Sequence, residues 1–164
     1  MNFLLISAWP PMSALENRVP PLLVAVLIAL LMGLSGPRLP SIELAWTERL
    51  TFALPVLLLG LGVCLAGVLS FRRARTTVNP LMPQQASALV EAGIYQYSRN
   101  PMYLGFAIIL AAWALALASP LTLLGVVAFV LYMNRFQIAA EEWALEALFG
   151  ESFVRYRAQV RRWL

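Results

Sequence analysis

The chain is 164 residues long and 61% hydrophobic, with mean hydropathy +0.77 and a net charge of +4 from twelve basic and eight acidic residues. Every basic residue is Arg and every acidic one Glu, and Cys64 is the single cysteine. This excludes Ser-His-Asp and Cys-His machinery, Schiff-base and Walker lysines, His-bearing or thiolate metal sites and a disulfide framework. Such apolarity in one domain's length of chain predicts an all-α integral membrane protein, a single membrane domain over 1–164. Residues 1–71 would supply an N-terminal interfacial segment and two spans, and 72–164 a loop, a helical hairpin and final short helices. The basic excess reads as membrane topology, so nucleic acid is not an expected partner.

In chain order, residues 1–13 are apolar without a basic start, which suggests an interfacial segment rather than a cleaved signal. Uncharged runs follow at 19–37, 50–71 and 100–134. The first opens on Pro20-Pro21, suited to a first helical turn, and closes on Gly33, Gly36 and Pro37. The second has the ~20 residues a crossing needs. Its small residues at Gly60, Gly62, Cys64, Ala66 and Gly67 allow close packing within the chain or between copies, so monomer and homodimer both stay open. The third would make a helix of about 50 Å, and Ser119-Pro120 divides it into a hairpin, 102–118 and 121 to about 135.

With four spans, Arg38 and Arg49 fall on one side and the other ten arginines on the opposite side. The positive-inside rule then puts both termini, the loop after Phe71 and any active site in the cytoplasm. Beyond the hairpin two short helices should break at Gly150. In the second, Phe153, Tyr156, Val160 and Trp163 recur at helical spacing, with Arg155, Arg157, Arg161 and Arg162 elsewhere, as in a basic helix on anionic headgroups or a topology anchor.

Two polar clusters flank the hairpin. Asn100 can cap the helix that Pro101 begins, leaving N–H groups and Arg99 as an anion site; a plain interfacial cap reads equally well. On the far arm Tyr132, Arg135, Ala139 and Glu142 share a helical face, with Glu141 adjacent, forming a salt-bridged surface or a cation site. The hairpin brings the clusters together. A pocket with an anion-binding end and a carboxylate end suits a zwitterionic, cationic ligand such as S-adenosylmethionine, whose methyl transfer needs positioning and desolvation more than proton chemistry.

The stretches LVEAGIYQYSRNPMYLGF and EEWALEALFGESFVRYRAQVRRWL resemble the isoprenylcysteine carboxyl methyltransferase and phospholipid methyltransferase group of membrane enzymes. Gly93, Tyr95, Arg99, Asn100, Pro101, Tyr103 and Gly105 meet its first motif. Glu141, Glu142, Leu145, Phe149, Gly150, Phe153 and Tyr156 meet its second. The resemblance implies an S-adenosylmethionine site framed by Gly93, Tyr95, Arg99, Asn100, Pro101, Tyr103, Glu141 and Glu142, beside a lipophilic acceptor entering from the membrane lipids. It also implies Arg99, Arg135 and Glu142 as the catalytic set, Arg135 orienting the acceptor or the Glu pair. Asn100 stands where isoprenylcysteine-type members have His and is closer to the N-P-M-Y of phosphatidylethanolamine methyltransferases. The acceptor therefore stays open among an isoprenylcysteine-like carboxylate, a thiol and a phospholipid amine. An NADPH-dependent sterol-type reductase and a non-catalytic scaffold are the other readings.

Overall fold

The computed structural model describes residues 19–74 and 88–164. The interfacial reading of 1–13, and Arg18 and Arg75 in the charge count, lie outside the described residues. Helix α1 spans Pro21–Ser35, with Pro21 at its first turn, and runs into a 3-10 turn, Gly36–Arg38, where Arg38 donates to the Leu34 carbonyl. Helix α2 spans Trp46–Arg73. It starts earlier than the uncharged run because Glu48 accepts a hydrogen bond from the Ala45 N–H (2.8 Å), half of a capping box. It ends on Arg72 and Arg73, cations suited to the negative end of the helix dipole.

Helix α3, Pro101–Leu117, is the central element and packs most extensively on α2. Their seam is built from missing side chains. A Cβ on Gly105 would lie 2.3 Å from Cys64 Sγ and 2.8 Å from the Gly60 carbonyl, and one on Gly67 would lie 2.8 Å from Met102 Cγ. The small-residue stripe of α2 is thus used within the chain, and only Gly62 of its glycines faces open space. On its other sides α3 meets α1 and the next helix around a core of Val24, Met32, Tyr103, Leu110, Phe129, Met133 and Ile138.

The hairpin turns as predicted. Ala118 takes a left-handed conformation (φ 50°), a cost for a side-chain-bearing residue, and Pro120–Thr122 forms a 3-10 turn. Neighbouring contacts hold it: the Ile42 N–H donates to the Ala118 carbonyl (2.7 Å) and Ser119 Oγ to that of Pro40 (2.8 Å).

The returning arm does not stop near residue 135. Helix α4, Leu123–Tyr132, passes through a π-helical turn, Met133–Ile138, into α5, Ala139–Phe149, without interruption. No breaker stands between them, and the polar side chains met on the way find partners: Asn134 with Trp163, Gln137 with Glu141. Gly150 (φ 53°) breaks the chain as expected, and α6 spans Glu151–Gln159. Among the described residues three helices are long and apolar enough to cross a membrane, 21–38, 46–73 and 120–149, with the shorter apolar α3 beside them. Leucines such as Leu22, Leu31, Leu58 and Leu65 point outward from α1 and α2, the pattern of a protein whose surroundings are hydrocarbon.

Helix α6 differs from the sequence expectation. Phe153 and Tyr156 are buried in the fold, and the helix ends before Val160, which is extended (φ −119°, ψ 133°), so Trp163 does not share their face. Tyr156, which would have lain among headgroups, instead reaches the turn before α3, with Phe153 buried beside it.

Candidate functional site

The site forms where residues 93–103 meet α5, α6 and the strap formed by residues 160–164. A 3-10 turn, Gly93–Gln96, enters it. Gly93 has φ +66°, and a Cβ there would meet Ser70 Oγ at 2.8 Å, so both backbone and space call for glycine. Tyr95 is buried edge-on against Phe71 (5.3 Å), and its carbonyl accepts from the Tyr156 hydroxyl (2.7 Å). Burial pushes the pKa of both phenols upward, so each stays a neutral hydrogen-bonding group.

Arg99 is the hub. Its Nη2 donates to Glu142 Oε1 (2.7 Å), its Nη1 to the Arg157 carbonyl (3.3 Å) and its backbone N–H to the Arg161 carbonyl (3.0 Å). Its side chain is only 10% exposed. Burial pulls its ionisation down and Glu142 pulls it back, but a guanidinium stays charged at any physiological pH. Its Nε is buried with no hydrogen-bond partner, alone in this among the buried side-chain nitrogens and oxygens of the described residues. A buried donor on a permanent charge costs free energy unless something accepts from it.

Glu142 receives a second cation. Arg162 donates through Nε to Oε1 (2.9 Å) and through Nη2 to Oε2 (2.6 Å), and this contact in turn raises the ionisation of Arg162. Beside it Glu141 Oε1 accepts from the Tyr103 hydroxyl and from Gln137 Nε2 (2.8 Å). The π turn matters here, because it rotates α5 relative to α4 so that Gln137, Glu141 and Glu142 face α3 while Arg135 is exposed. Arg135 and Glu142 therefore do not share the single helical face expected from α-helical spacing.

The two predicted clusters do meet: Arg99, Tyr103, Glu141 and Glu142 are joined directly. Pro101 begins α3 as expected. Asn100 occupies the cap position, but its side chain makes no cap; its Nδ2 donates instead to the Arg162 carbonyl in the strap (3.0 Å). Arg135 lies apart, its guanidinium 5.3 Å from the Phe136 ring centroid. Glu146 pairs with Arg157 (2.7 Å) at the exposed rim.

Sequence reasoning missed Gln137, Ser98 and Arg162. Gln137 was findable, four residues before Glu141 on a helix. Ser98, fully buried and donating to the Arg162 carbonyl (3.3 Å), carried no local signal. Arg162 was counted only as surface charge.

The phospholipid methyltransferase family matches residues 49–152. An uncharacterized protein of Haemophilus influenzae is 52% identical over 63 residues, 38% of this chain and all of that protein. Protein-S-isoprenylcysteine O-methyltransferase B of Arabidopsis thaliana is 29% identical over 124 residues, 74% of this chain and 61% of the plant protein's length. No solved structure matches.

Proposed function

The chain belongs to the phospholipid methyltransferase family, and from that membership and the geometry above we propose that it transfers a methyl group from S-adenosylmethionine to a lipophilic acceptor at the cytoplasmic face of the membrane. The observation that carries the reading is the unpartnered, buried Nε of Arg99 beside the Glu141-Glu142 pair. A donor without a partner suits a carboxylate, and adjacent carboxylates suit an ammonium or sulfonium; one ligand carrying all three fits the residues present. When bound, S-adenosylmethionine supplies an electrophilic methyl group, leaving its bonding electron pair on sulfur.

The chain's own residues would hold and shield. Arg99 anchors the ligand's anionic group, while Glu141 and Glu142 favour its cationic side. Buried Tyr95 and Tyr103 supply rigid walls that keep water out. For an amine acceptor, Glu141 or Glu142 takes the proton released; a carboxylate or thiolate needs no base. The name of the plant relative supports a prenylated-cysteine carboxylate and that of the family a phospholipid amine, so both belong in the acceptor screen. The arginine asymmetry supports the cytoplasmic face, since Arg38 and Arg49 stand alone at the other end.

Calorimetric titration of the detergent-purified protein with S-adenosylmethionine, and separately with NADPH, tests this. The expected result is binding of the former, weakened at least tenfold in Arg99→Lys, about 1.4 kcal/mol or more. Binding of NADPH alone, or unchanged affinity in the variant, would overturn it.

A further inference from the structure

Arg162 lies beyond the residues that match the family, yet it bonds to Ser98, Asn100 and Glu142 in the site. Its carbonyl accepts from Asn100 Nδ2 (3.0 Å) and Ser98 Oγ (3.3 Å), while its guanidinium forks across both oxygens of Glu142. Glu142 holds Arg99, and Arg99 is covalently next to both Ser98 and Asn100. One residue of the strap therefore closes a ring that begins and ends at residues 98–100.

We propose that Arg162 is a positioning residue: by fixing the Glu142 carboxylate in two directions, it fixes the guanidinium of Arg99 and so sets where the unpartnered Nε points. Arg99 alone contacts only Oε1 of Glu142, which leaves the carboxylate free to turn about a broad torsion. The fork removes that freedom, since two parallel N–H bonds define the carboxylate plane. The remaining restraints on Arg99, the carbonyls of Arg157 and Arg161, come from the end of α6 and the strap itself. The aim of the buried donor is thus set by the segment that Arg162 anchors. Its bearing on methyl transfer rests on the proposed function; the geometric relation does not.

Arg162→Lys separates the roles, because lysine keeps the charge and loses the fork. Trp163→Phe is the control: it removes the indole bond to Asn134 (3.1 Å), loosening the strap without touching Glu142. In the full chain labelled with ¹⁵N-arginine, the Nε–H signal of Arg99, identified by its loss in Arg99→Lys, reports the aim directly. Arg162→Lys should broaden that signal or speed its solvent exchange about tenfold, and Trp163→Phe should leave it in place. An unchanged signal in Arg162→Lys, or an equal change in both variants, overturns the proposal.

Titration with S-adenosylmethionine adds the functional arm. An affinity about tenfold weaker in Arg162→Lys and near wild type in Trp163→Phe supports positioning of a ligand; equal affinity in both overturns that part. A wild-type protein that does not bind, yet shows the Arg99 response, sinks the methyl-donor reading and leaves the role of Arg162 standing.

Discussion

The two ends of α3 treat arginine in opposite ways. Near Leu117, Arg38 donates to the Leu34 carbonyl and Arg49 Nε to that of Leu44 (3.1 Å), each satisfied by backbone a few residues away. Near Pro101, Arg99 and Arg162 both reach the carboxylate of Glu142, 43 and 20 residues distant in sequence, and one buried donor is left over. A cavity of about 240 Å³ lies at the first end, among Gly36, Trp46, Arg49, Trp113 and Leu117, but Trp113 Nε1 is already spent on the Ala29 carbonyl (3.0 Å). Space alone does not make a site. The polar end has unmet chemistry, whereas the cavity end has room and arginines that cap their own backbone.

Four substitutions press on that difference. The largest effect belongs to Glu142→Ala, which strands two guanidiniums, one of them nearly buried. A loss of about 3 kcal/mol or more is expected in chemical unfolding, together with loss of S-adenosylmethionine binding. A stable, binding-competent variant would erase the contrast between the ends. Next comes Gly105→Ala, about one turn into α3 from the Pro101 end, where the added methyl collides with Cys64 and the Gly60 backbone. About 2 kcal/mol should be lost as α2 and α3 are forced apart, read from the same unfolding curves. Trp163→Phe removes one neutral hydrogen bond of the strap and should cost about 1 kcal/mol. The smallest change is expected from Arg49→Ala at the cavity end: a shift within about 0.5 kcal/mol and unaltered affinity for the methyl donor. A large drop in affinity there would mean the two ends are not independent.

Much of this was legible in the sequence, for identifiable reasons. Hydropathy marks what lipid must cover, so the spans and the hairpin at Ser119-Pro120 were readable, and glycine at 150 marked the break before α6. The meeting of Arg99 with Glu142 followed from hairpin topology alone. What could not be read depended on partners chosen in three dimensions. Asn100 is a strong cap by local preference, but the strap outbids the cap, and nothing near residue 100 announces a carbonyl from residue 162. Helical spacing put Arg135 and Glu142 on one face, and it failed because a π turn does not keep a period of 3.6. The aromatic residues of α6 looked amphipathic for a membrane surface, while Tyr156 finds an interior partner in the Tyr95 carbonyl and Phe153 is buried beside it.

A π turn is an α-helix that has accepted one residue too many, and here the surplus lies between the spanning part of the arm and the part that carries the carboxylates. Deleting a single residue within 133–138 would restore plain α-helix and leave the faces of the flanking segments where they are, whereas the same deletion in plain α-helix turns everything after it by about 100°. A deletion at Ala139 or Ala140, already in α-helix, would instead bring Glu142 to the place of Glu141 beside Tyr103 and Trp143 to the place before Arg99. The register of the candidate site therefore tolerates one extra residue, invisible to hydropathy, that the helix absorbs without breaking.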